Sequence, residues 1–255
     1  MDKNMSSYKV YYINLDKSLE RRSFMENQFK KLNVPLTRMP AVYGKELSQD
    51  FLKKAKNQHN ILTHYPYLND GEIGLTKTYF DLWKIIATQK EDFALVLEDD
   101  ALLTEDFFTD LSALLKSISK NDFLDISGRK GFFKLKSDLL TSTFLIPSLQ
   151  TTGQIIGKKA AETLSKNLTT YYSPIDVLKQ DVFKHKTPVL TTNKRYVSSN
   201  DKNVGGTTIQ QKKMPKFKKI LREVIRPFWQ LITLITYKTY RFIGNYFFYK
   251  KTNFL

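Results

Sequence analysis

The sequence predicts an α/β domain with a largely parallel, helix-covered sheet. Apolar, β-branched runs alternate with amphipathic helical segments, which is the order expected of successive βα units. The 255 residues, 41% of them hydrophobic, are enough to bury one core of ordinary size. No internal repeat or long low-complexity tract interrupts the pattern. We therefore expect one folded domain followed by a terminal segment of different character.

The first predicted elements are two strand-helix pairs and a longer helix. The run "KVYYINLD" is β-branched and aromatic, and "KSLERRSFMENQFKKLN" follows it as a helix. The face of that helix expected to be buried consists of Phe24, Met25, Phe29 and Leu32. A short strand at "VPLTRMPAVYG" and a short helix at "SQDFLKKAKNQ" come next. The longer helix, "DGEIGLTKTYFDLWKIIATQ", carries an apolar stripe of Ile73, Tyr79, Leu82, Trp83 and Ile86.

The second half of the domain continues the alternation. Strands are predicted at "FALVL", "DFLDIS" and "STFLIP", with a helix over residues 106–119. The stretch "TTGQIIGKKAAETLSKNL" predicts a short strand that turns through Gly157 into a helix. "SPIDVLKQDVFKH" predicts one helix opening at Ser173 or Pro174. The polar stretch "NKRYVSSNDKNVGGTTIQQKK" is interpreted as loop or linker.

Three consecutive carboxylates stand at the end of the predicted central strand. Glu98, Asp99 and Asp100 follow four apolar residues in "FALVLEDDALL", and open α/β sheets bind their ligands at that end of the strands. Neighbouring carboxylates repel one another, and a hard divalent ion with oxygen ligands relieves the repulsion. The alternative is that the three acids cap the following helix or lie in a solvated turn.

The formal net charge of +16 is concentrated at the C-terminus. Residues 212–255 contribute +10, which leaves +6 for residues 1–211. The segment mixes cations with aromatic residues, and its apolar part, "PFWQLITLITY", is too short to cross a bilayer. We expect residues 206–255 to form a basic amphipathic helical tail on an anionic membrane surface. Packing on the domain as a core helix and RNA binding by aromatic stacking are the alternatives, in that order.

The remaining sequence features favour a cytoplasmic protein with no nucleic-acid partner. Cysteine is absent, which suits a reducing compartment, and the N-terminus lacks an export-signal pattern. No run of about 18 apolar residues is present, so we expect no membrane-spanning helix. His59, His64 and His185 are isolated and do not have the spacing of metal ligands.

Three blocks together resemble glycosyltransferase family 25, the bacterial lipooligosaccharide sugar transferases related to collagen galactosyltransferases. "YYINLDKSLERRSFM", "GEIGLTKTYFDLWKII" and "FALVLEDDALL" occur in the family's order and spacing, and the resemblance covers roughly residues 8–200. One departure is clear. Where the family commonly has a Ser-His pair after Glu-Ile-Gly, this chain has Thr78 and Tyr79.

The resemblance implies a single GT-A-like catalytic domain over residues 1–205. It implies an inverting, metal-assisted transfer of a hexose, galactose or glucose, from a UDP-sugar to a lipooligosaccharide acceptor. Mn²⁺ or Mg²⁺ would be the cofactor, and the protein would act at the inner face of the cytoplasmic membrane. The alternative is a non-catalytic scaffold that binds sugar or lipid, because the Ser-His pair is missing.

The resemblance also assigns roles to nine residues. Asp100 is the expected metal ligand with Asp99 as a second ligand, and Asp99 or Glu98 would also lie near the donor sugar or ribose. The other residues expected around the donor are Asn14, Asp16, Arg22 and Glu72. Asp176 is the first candidate for the base that deprotonates the acceptor, and Asp181 is the reserve. Simpler structural roles are open for three of them: a solubilising charge for Arg22, a helix-dipole partner for Glu72 and a helix cap for Asp176.

Overall fold

The computed structural model describes residues 7–58 and 68–205, together with the isolated helical positions Phe228, Leu231 and Ile235. The strands in these residues are β1 (Tyr8–Asn14), β2 (Thr37–Pro40), β3 (Phe93–Glu98), β4 (Ala101–Leu103), β5 (Phe123–Asp125), β6 (Phe132–Ser137), β7 (Thr141–Ile146), β8 (Gly153–Gly157), β9 (Val189–Thr192) and β10 (Val197–Ser199). The helices are α1 (Leu19–Leu32), α2 (Gln49–Asn57), α3 (Asp70–Thr88), α4 (Asp106–Ser117), α5 (Lys158–Asn167), α6 (Ile175–Leu178) and α7 (Val182–His185).

The main sheet has the strand order β2-β1-β3-β8-β5-β9-β7-β6. β1 pairs in parallel with both β2 and β3, and β5 pairs in parallel with β9. β8 runs antiparallel to β3 and β5, and β7 runs antiparallel to β9 and β6. Six of the eight strands in this described sheet therefore point the same way, as predicted, although four of its seven neighbouring pairs are antiparallel.

Helices cover both faces of the sheet, and the alternation within β1 shows why. Tyr11 and Ile13 belong to one buried cluster, which is shared with α3 and α5. Val10 and Tyr12 belong to the other, which is shared with α1 and α4. Because successive strand residues point to opposite faces, a strand that is apolar throughout requires helices on both sides. This confirms the predicted helix-covered α/β domain.

The longest helix, α3, agrees with its predicted pattern, whereas α1 differs at both ends. All five residues of the predicted α3 stripe are buried. In α1, Met25 and Phe29 are buried as expected, but Leu32 is 40% exposed. Arg21 is the third buried residue of α1, because it lies four residues before Met25 and eight before Phe29, on the same helical face. The prediction that Leu32 is buried is therefore wrong, and the charged residue Arg21 belongs to the buried face of α1 instead.

Four strands (β4, β6, β9 and β10) and one helix break were not predicted. β4 pairs with β10 in a separate antiparallel ribbon, so the polar segment interpreted as linker folds back beside the carboxylates. The stretch predicted as one helix after Pro174 forms α6 and α7 with a turn between them. β6 is the outer edge strand of the main sheet.

The proposed tail falls almost entirely outside the described residues. Phe228, Leu231 and Ile235 are helical and exposed, and their spacing places them on one helical face. Among the described residues, no helix combines the length and apolarity needed to span a bilayer. The predicted boundary between residues 205 and 206 stays a prediction.

Candidate functional site

A pocket opens at the carboxyl ends of β1 and β3, and its walls come from distant parts of the chain. Its lining residues are Ile13, Leu15, Arg21, Ala41, Val42, Tyr43, Gly44, Gly71, Leu75, Glu98, Asp99, Asp100 and Asp201. Four of them are carboxylates and one is an arginine, so the pocket is strongly acidic. Sheets with parallel strands bring the ends of neighbouring strands to one edge, which is how β1 and β3 meet here. We call this the first pocket.

Two glycines allow the first turn of α3 to form one wall of the first pocket. A Cβ atom on Gly44 would lie 1.7 Å from the Asp70 carbonyl oxygen, and one on Gly74 would lie 2.4 Å from the Val42 carbonyl oxygen. The backbone at Val42 and Gly44 therefore lies closer to the first turn of α3 than a side chain at either glycine would permit. Thr78 fixes the same contact, since its hydroxyl accepts a hydrogen bond from the Val42 N–H at 2.8 Å.

Asp99 is held by two buried donors. One carboxylate oxygen accepts from Arg21 at 2.6 Å, and the other accepts from the Asn14 amide at 2.8 Å. Burial raises the pKa of Asp99, and Arg21 and Asn14 act in the opposite direction. Arg21 also donates to the Val204 carbonyl at 3.1 Å, which ties α1 to the end of the described domain. The acidic edge of the sheet is therefore partly neutralised from α1.

Asp100 is only partly satisfied by protein groups. Its Oδ2 accepts from the Ser199 hydroxyl at 2.7 Å, and its backbone carbonyl accepts from the Asn200 N–H at 2.8 Å. Its Oδ1 is buried and has no hydrogen-bond partner among the described residues. Buried polar atoms without a partner are rare in folded proteins, and an ion or a water molecule is one way to satisfy them. Asp100 lines the first pocket.

Glu98 lies where the first pocket meets a second one. One of its carboxylate oxygens accepts from the Thr151 hydroxyl at 2.6 Å. Burial raises the pKa of Glu98 to about 7, and the charges of Asp100, Asp99 and Asp176 act in the same direction. Since the folded state holds this proton more tightly than the unfolded chain does, the stability that Glu98 contributes is lost as pH rises through about 7.

The second pocket lies on the other side of Glu98. Its lining residues are Glu72, Leu75, Glu98, Leu149, Gln150, Thr151, Thr152, Pro174, Ile175 and Asp176. One oxygen of Asp176 accepts from the Val177 N–H at 2.9 Å. Glu72 forms a capping box with Asn69, accepting from its N–H at 2.9 Å. Glu72 therefore lines the second pocket rather than the acidic first one, and its helix-start role is present.

The cap interpretation of the carboxylate triplet is wrong. β4 separates the triplet from α4, and the residue at the N-cap of α4, Glu105, makes no side-chain capping bond. All three acids line the first pocket. Their side chains instead contact three separate segments, through Thr151, Arg21 and Ser199.

Four predicted residues do not line either pocket. Asn14 is the first of them: it is buried and donates to the pocket residue Asp99. Arg22 is exposed and pairs with Glu26 at 2.8 Å, because the buried line of α1 passes through Arg21. The side chain of Asp16 is 85% exposed and pairs with Arg38. Arg38 in turn donates to the Asn14 side-chain oxygen at 3.1 Å, so Asp16 reaches the pocket only through two other residues. Neither Arg22 nor Asp16 lines the described pockets, so contacts of these two residues with the donor stay a prediction.

Asp181 is the fourth, and it lies in the core. It is 6% exposed and accepts from the Tyr172 hydroxyl at 2.7 Å. The turn between α6 and α7 directs it inward, whereas Asp176 one helix earlier faces the second pocket. The structure therefore gives Asp181 a structural hydrogen bond and no place beside the acceptor-side acids.

Some residues of the site were missed by the sequence analysis. Arg21 had a signal, since it stands four residues before Met25 on the buried face of α1. Asp201 had none, because it lies in a polar stretch that only pairing of β10 with β4 brings to the first pocket. Lys179 is also buried, paired with Asp125 at 2.7 Å and bonded to the Gln150 carbonyl. It thereby fixes the loop that carries Thr151.

His185 is connected to the loop that carries Thr151 through its hydrogen bond to Lys179. Its Nδ1 accepts from the Thr187 N–H at 3.2 Å, so its Nε2 carries the proton and donates to the Lys179 carbonyl at 3.1 Å. Burial lowers the pKa of His185 to about 4. His59 and His64 lie outside the described residues.

The low pKa of His185 predicts acid sensitivity. Because the folded state keeps this ring neutral while the unfolded chain takes up a proton near pH 6.5, stability falls as pH drops from 6.5 towards 4. The expected loss from this group is on the order of 3 kcal/mol. Urea unfolding should show the advantage of the wild type over His185→Gln shrinking across this range. An advantage that stays constant with pH would contradict the neutral buried ring.

Comparisons with known proteins agree with the geometry. The family profile described as "Glycosyltransferase family 25 (LPS biosynthesis protein)" matches residues 7–147, more than half of the chain. A "Glycosyltransferase 25 family member" from Aedes aegypti is 35% identical over 97 residues, covering 36% of this chain and 16% of that protein. "Procollagen galactosyltransferase 1-B" from Xenopus laevis is 33% identical over 135 residues, covering 49% and 22%. The matches thus span about a sixth to a fifth of these relatives.

A solved structure shows a much weaker similarity. The apo form of the glycosyltransferase GlyE from Streptococcus pneumoniae TIGR4 is 15% identical, with a TM-score of 0.34, covering 89% of this chain and 63% of that one. A similarity of this size adds nothing to the sequence match. The profile match includes β1, α3 and the carboxylate triplet at the end of β3, the same blocks that carried the resemblance. The chain belongs to glycosyltransferase family 25.

Proposed function

We propose that this chain transfers a hexose, galactose or glucose, from a UDP-sugar to a lipooligosaccharide acceptor, with inversion and with the help of Mn²⁺ or Mg²⁺. The family membership supports a glycosyl transfer, and procollagen galactosyltransferases among the relatives favour galactose. The observation that carries the proposal is Asp100 at the acidic pocket on the carboxyl edge of the sheet: its Oδ1 is buried and has no hydrogen-bond partner within residues 7–58 and 68–205.

The charges of the first pocket favour a divalent ion. A nucleoside diphosphate is an anion, and the acids of the pocket outnumber the Arg21 cation that partly neutralises them, so they would repel it without a further cation. Asp100 Oδ1 is a hard oxygen ligand of the kind Mg²⁺ and Mn²⁺ prefer. Among the described residues no cluster of three or more His, Cys, Asp or Glu is arranged to hold an ion, so donor oxygens and water would complete the coordination.

The ion would neutralise charge on the departing diphosphate. Asp100 is the ligand that the geometry favours, because both oxygens of Asp99 already receive hydrogen bonds. The role of Asp99 as a second ligand stays a prediction. Arg21, held between Asp99 and Asp100, is the one cation among the described residues that line the pocket, and it would support a phosphate group from the protein side.

The two pockets supply the two substrates with separate compartments. They share Glu98 and Leu75, so a donor in the first pocket and an acceptor in the second would meet at Glu98. In an inverting transfer a base on the acceptor side removes the hydroxyl proton as the sugar carbon is attacked. Asp176 lines the acceptor compartment, and we assign it that role.

Replacing Asp176 tests the assignment. Asp176→Asn keeps the shape and the hydrogen bond from Val177 but cannot take a proton, so transfer should fall by roughly 10²–10⁴-fold. Affinity for UDP should stay unchanged, because Asp176 does not line the first pocket. Steady-state transfer and UDP titration are the measurements. Asp181→Asn is the matched control, expected to lower stability and not the chemical step. Full transfer by Asp176→Asn would remove Asp176 as the base.

A non-catalytic scaffold is the second candidate, and one observation favours it. Thr78 and Tyr79, which stand where the family commonly has Ser-His, are buried in structural hydrogen bonds. The Tyr79 hydroxyl donates to the Thr151 carbonyl and accepts from Gln154. Slow, metal-dependent release of UDP from a UDP-sugar supports the enzyme, and binding without any release supports the scaffold.

We also propose a cytoplasmic location at the inner membrane face, reached through the tail. The +10 charge of residues 212–255 and the exposed helical face of Phe228, Leu231 and Ile235 support this. A lipid-linked acceptor would be found at the same surface. Unchanged sedimentation with anionic vesicles after deletion of residues 212–255 would contradict it.

A further inference from the structure

The edge strand β6 and its turn present large apolar side chains to solvent. Phe132 and Phe133 are 55% and 65% exposed, and Leu139 in the turn between β6 and β7 is 91% exposed. The two phenyl rings contact each other edge to face, with centroids 5.1 Å apart. The aromatic pair lies at the start of β6 and Leu139 follows its end, so exposed apolar side chains are spread along the hairpin, and exposed apolar surface marks an interaction site.

The same hairpin is strongly cationic. Residues 129–137 contain four exposed cations and no acid, namely Arg129, Lys130, Lys134 and Lys136. The acid in the turn, Asp138, is engaged internally. Its oxygens accept from the backbone N–H groups of Leu140 and Thr141, and from the Thr141 hydroxyl. The outward charge of the hairpin is therefore positive around its apolar side chains.

The edge strand is poorly suited to pairing with a second copy. Phe133 has a φ of 52°, a left-handed conformation that is unfavourable for a bulky residue, and the register shifts between Lys134 and Lys136. Both features interrupt the regular ladder that strand addition needs. Lysines along an edge also repel an identical strand. A partner with an anionic surface and an apolar interior, such as an anionic bilayer, fits these cationic and apolar side chains better.

We infer that the β6–β7 hairpin is a membrane-contact surface, in which Phe132, Phe133 and Leu139 enter the headgroup region of an anionic bilayer. Aromatic and aliphatic side chains flanked by cations are typical of the membrane interface, where each group finds its own solvent. This contact is separate from the tail and does not depend on the sugar-transfer reaction. Phe132 pairs with Ile146, which lies three residues before Leu149 of the second pocket. A membrane contact through Phe132 would therefore bring acceptor-side residues close to lipid.

The lack of cysteine gives a direct test in the full chain. A Leu139→Cys variant carries one thiol, which is labelled with an environment-sensitive fluorophore. Vesicles of phosphatidylcholine with phosphatidylglycerol should shift its emission to the blue, and vesicles of phosphatidylcholine alone should not. Leu19→Cys, at an apolar position of α1 that is 64% exposed, is the matched control and should keep its emission in water. Emission from Leu139→Cys that stays unchanged on protein-loaded anionic vesicles would overturn the inference.

Substitution provides the second measurement. Phe132→Ser combined with Phe133→Ser should weaken affinity for the anionic vesicles by about tenfold or more. The matched pair Leu19→Ser with Ile85→Ser, also at exposed apolar positions, should leave it unchanged. An equal loss in both pairs, or loss of self-association with vesicle affinity retained, would contradict a membrane contact. The second of these results would assign the hairpin to an interface between copies.

Discussion

Arg21→Ala should lower the free energy of unfolding by about 3–5 kcal/mol, because it leaves the carboxylate of Asp99 buried without its cation. The two side chains are 8% and 10% exposed and 2.6 Å apart, so water cannot replace the lost partner at low cost. The variant also loses the bond from Arg21 to the Val204 carbonyl. Urea unfolding at neutral pH measures the effect.

The neighbouring residue supplies the control. Arg22→Ala removes the same side chain one position along α1, where it is exposed and paired only at the surface with Glu26. A surface pair of this kind contributes at most about 1 kcal/mol. Equal losses in Arg21→Ala and Arg22→Ala would contradict the buried ion pair. Arg21→Ala should also weaken UDP binding, whereas Arg22→Ala should not.

Asp100→Asn should reduce sugar transfer by roughly 10³-fold, because it removes the favoured ligand of the divalent ion and the charge stabilisation that the ion supplies. The bond from Ser199 can persist, since asparagine keeps an oxygen acceptor. Removing one of several crowded negative charges should leave stability equal or slightly higher. Initial rates of UDP release across a manganese titration separate lost ion affinity from lost chemistry.

Asp106→Asn is the matched control for Asp100→Asn. Asp106 is an exposed acid at the start of α4 that pairs with Lys194 at 2.5 Å and does not line either pocket. Its replacement should leave transfer and its manganese dependence unchanged. Transfer by Asp100→Asn at the wild-type rate, with the same manganese requirement, would show that the ion is held elsewhere.

Local sequence patterns predicted the helices and strands well where the arrangement of apolar residues shows which part of the element is buried. The stripe of α3 is a periodic signal and the apolar runs of β1 and β3 are continuous ones, and each element lies as expected. The reversed direction of β8 has no such signal. A strand buried on both faces has the same composition whichever way it runs, so only the pairing with β3 and β5 reveals it.

The site was predictable where carboxylates follow a buried strand, and less so where other segments come to them. Asp99 and Asp100 lie at the strand end as the sequence indicates, and which protein groups contact them depends on long-range packing. Arg21 and Arg22 are adjacent and chemically identical, and only the helical phase set by Met25 and Phe29 distinguishes them. Asp201 reaches the pocket through the β4–β10 ribbon, whose strands are too short to be recognised from composition.

We expect the carboxylates at the end of β3 to hold a nucleoside diphosphate through a divalent ion. Calorimetric titration of UDP into the wild-type protein, with and without Mn²⁺, tests it most directly. We predict measurable binding with Mn²⁺, loss of at least tenfold in affinity without it, and loss of this difference in Asp100→Asn. UDP binding that is equally strong without Mn²⁺, or that keeps its Mn²⁺ dependence in Asp100→Asn, would contradict the account.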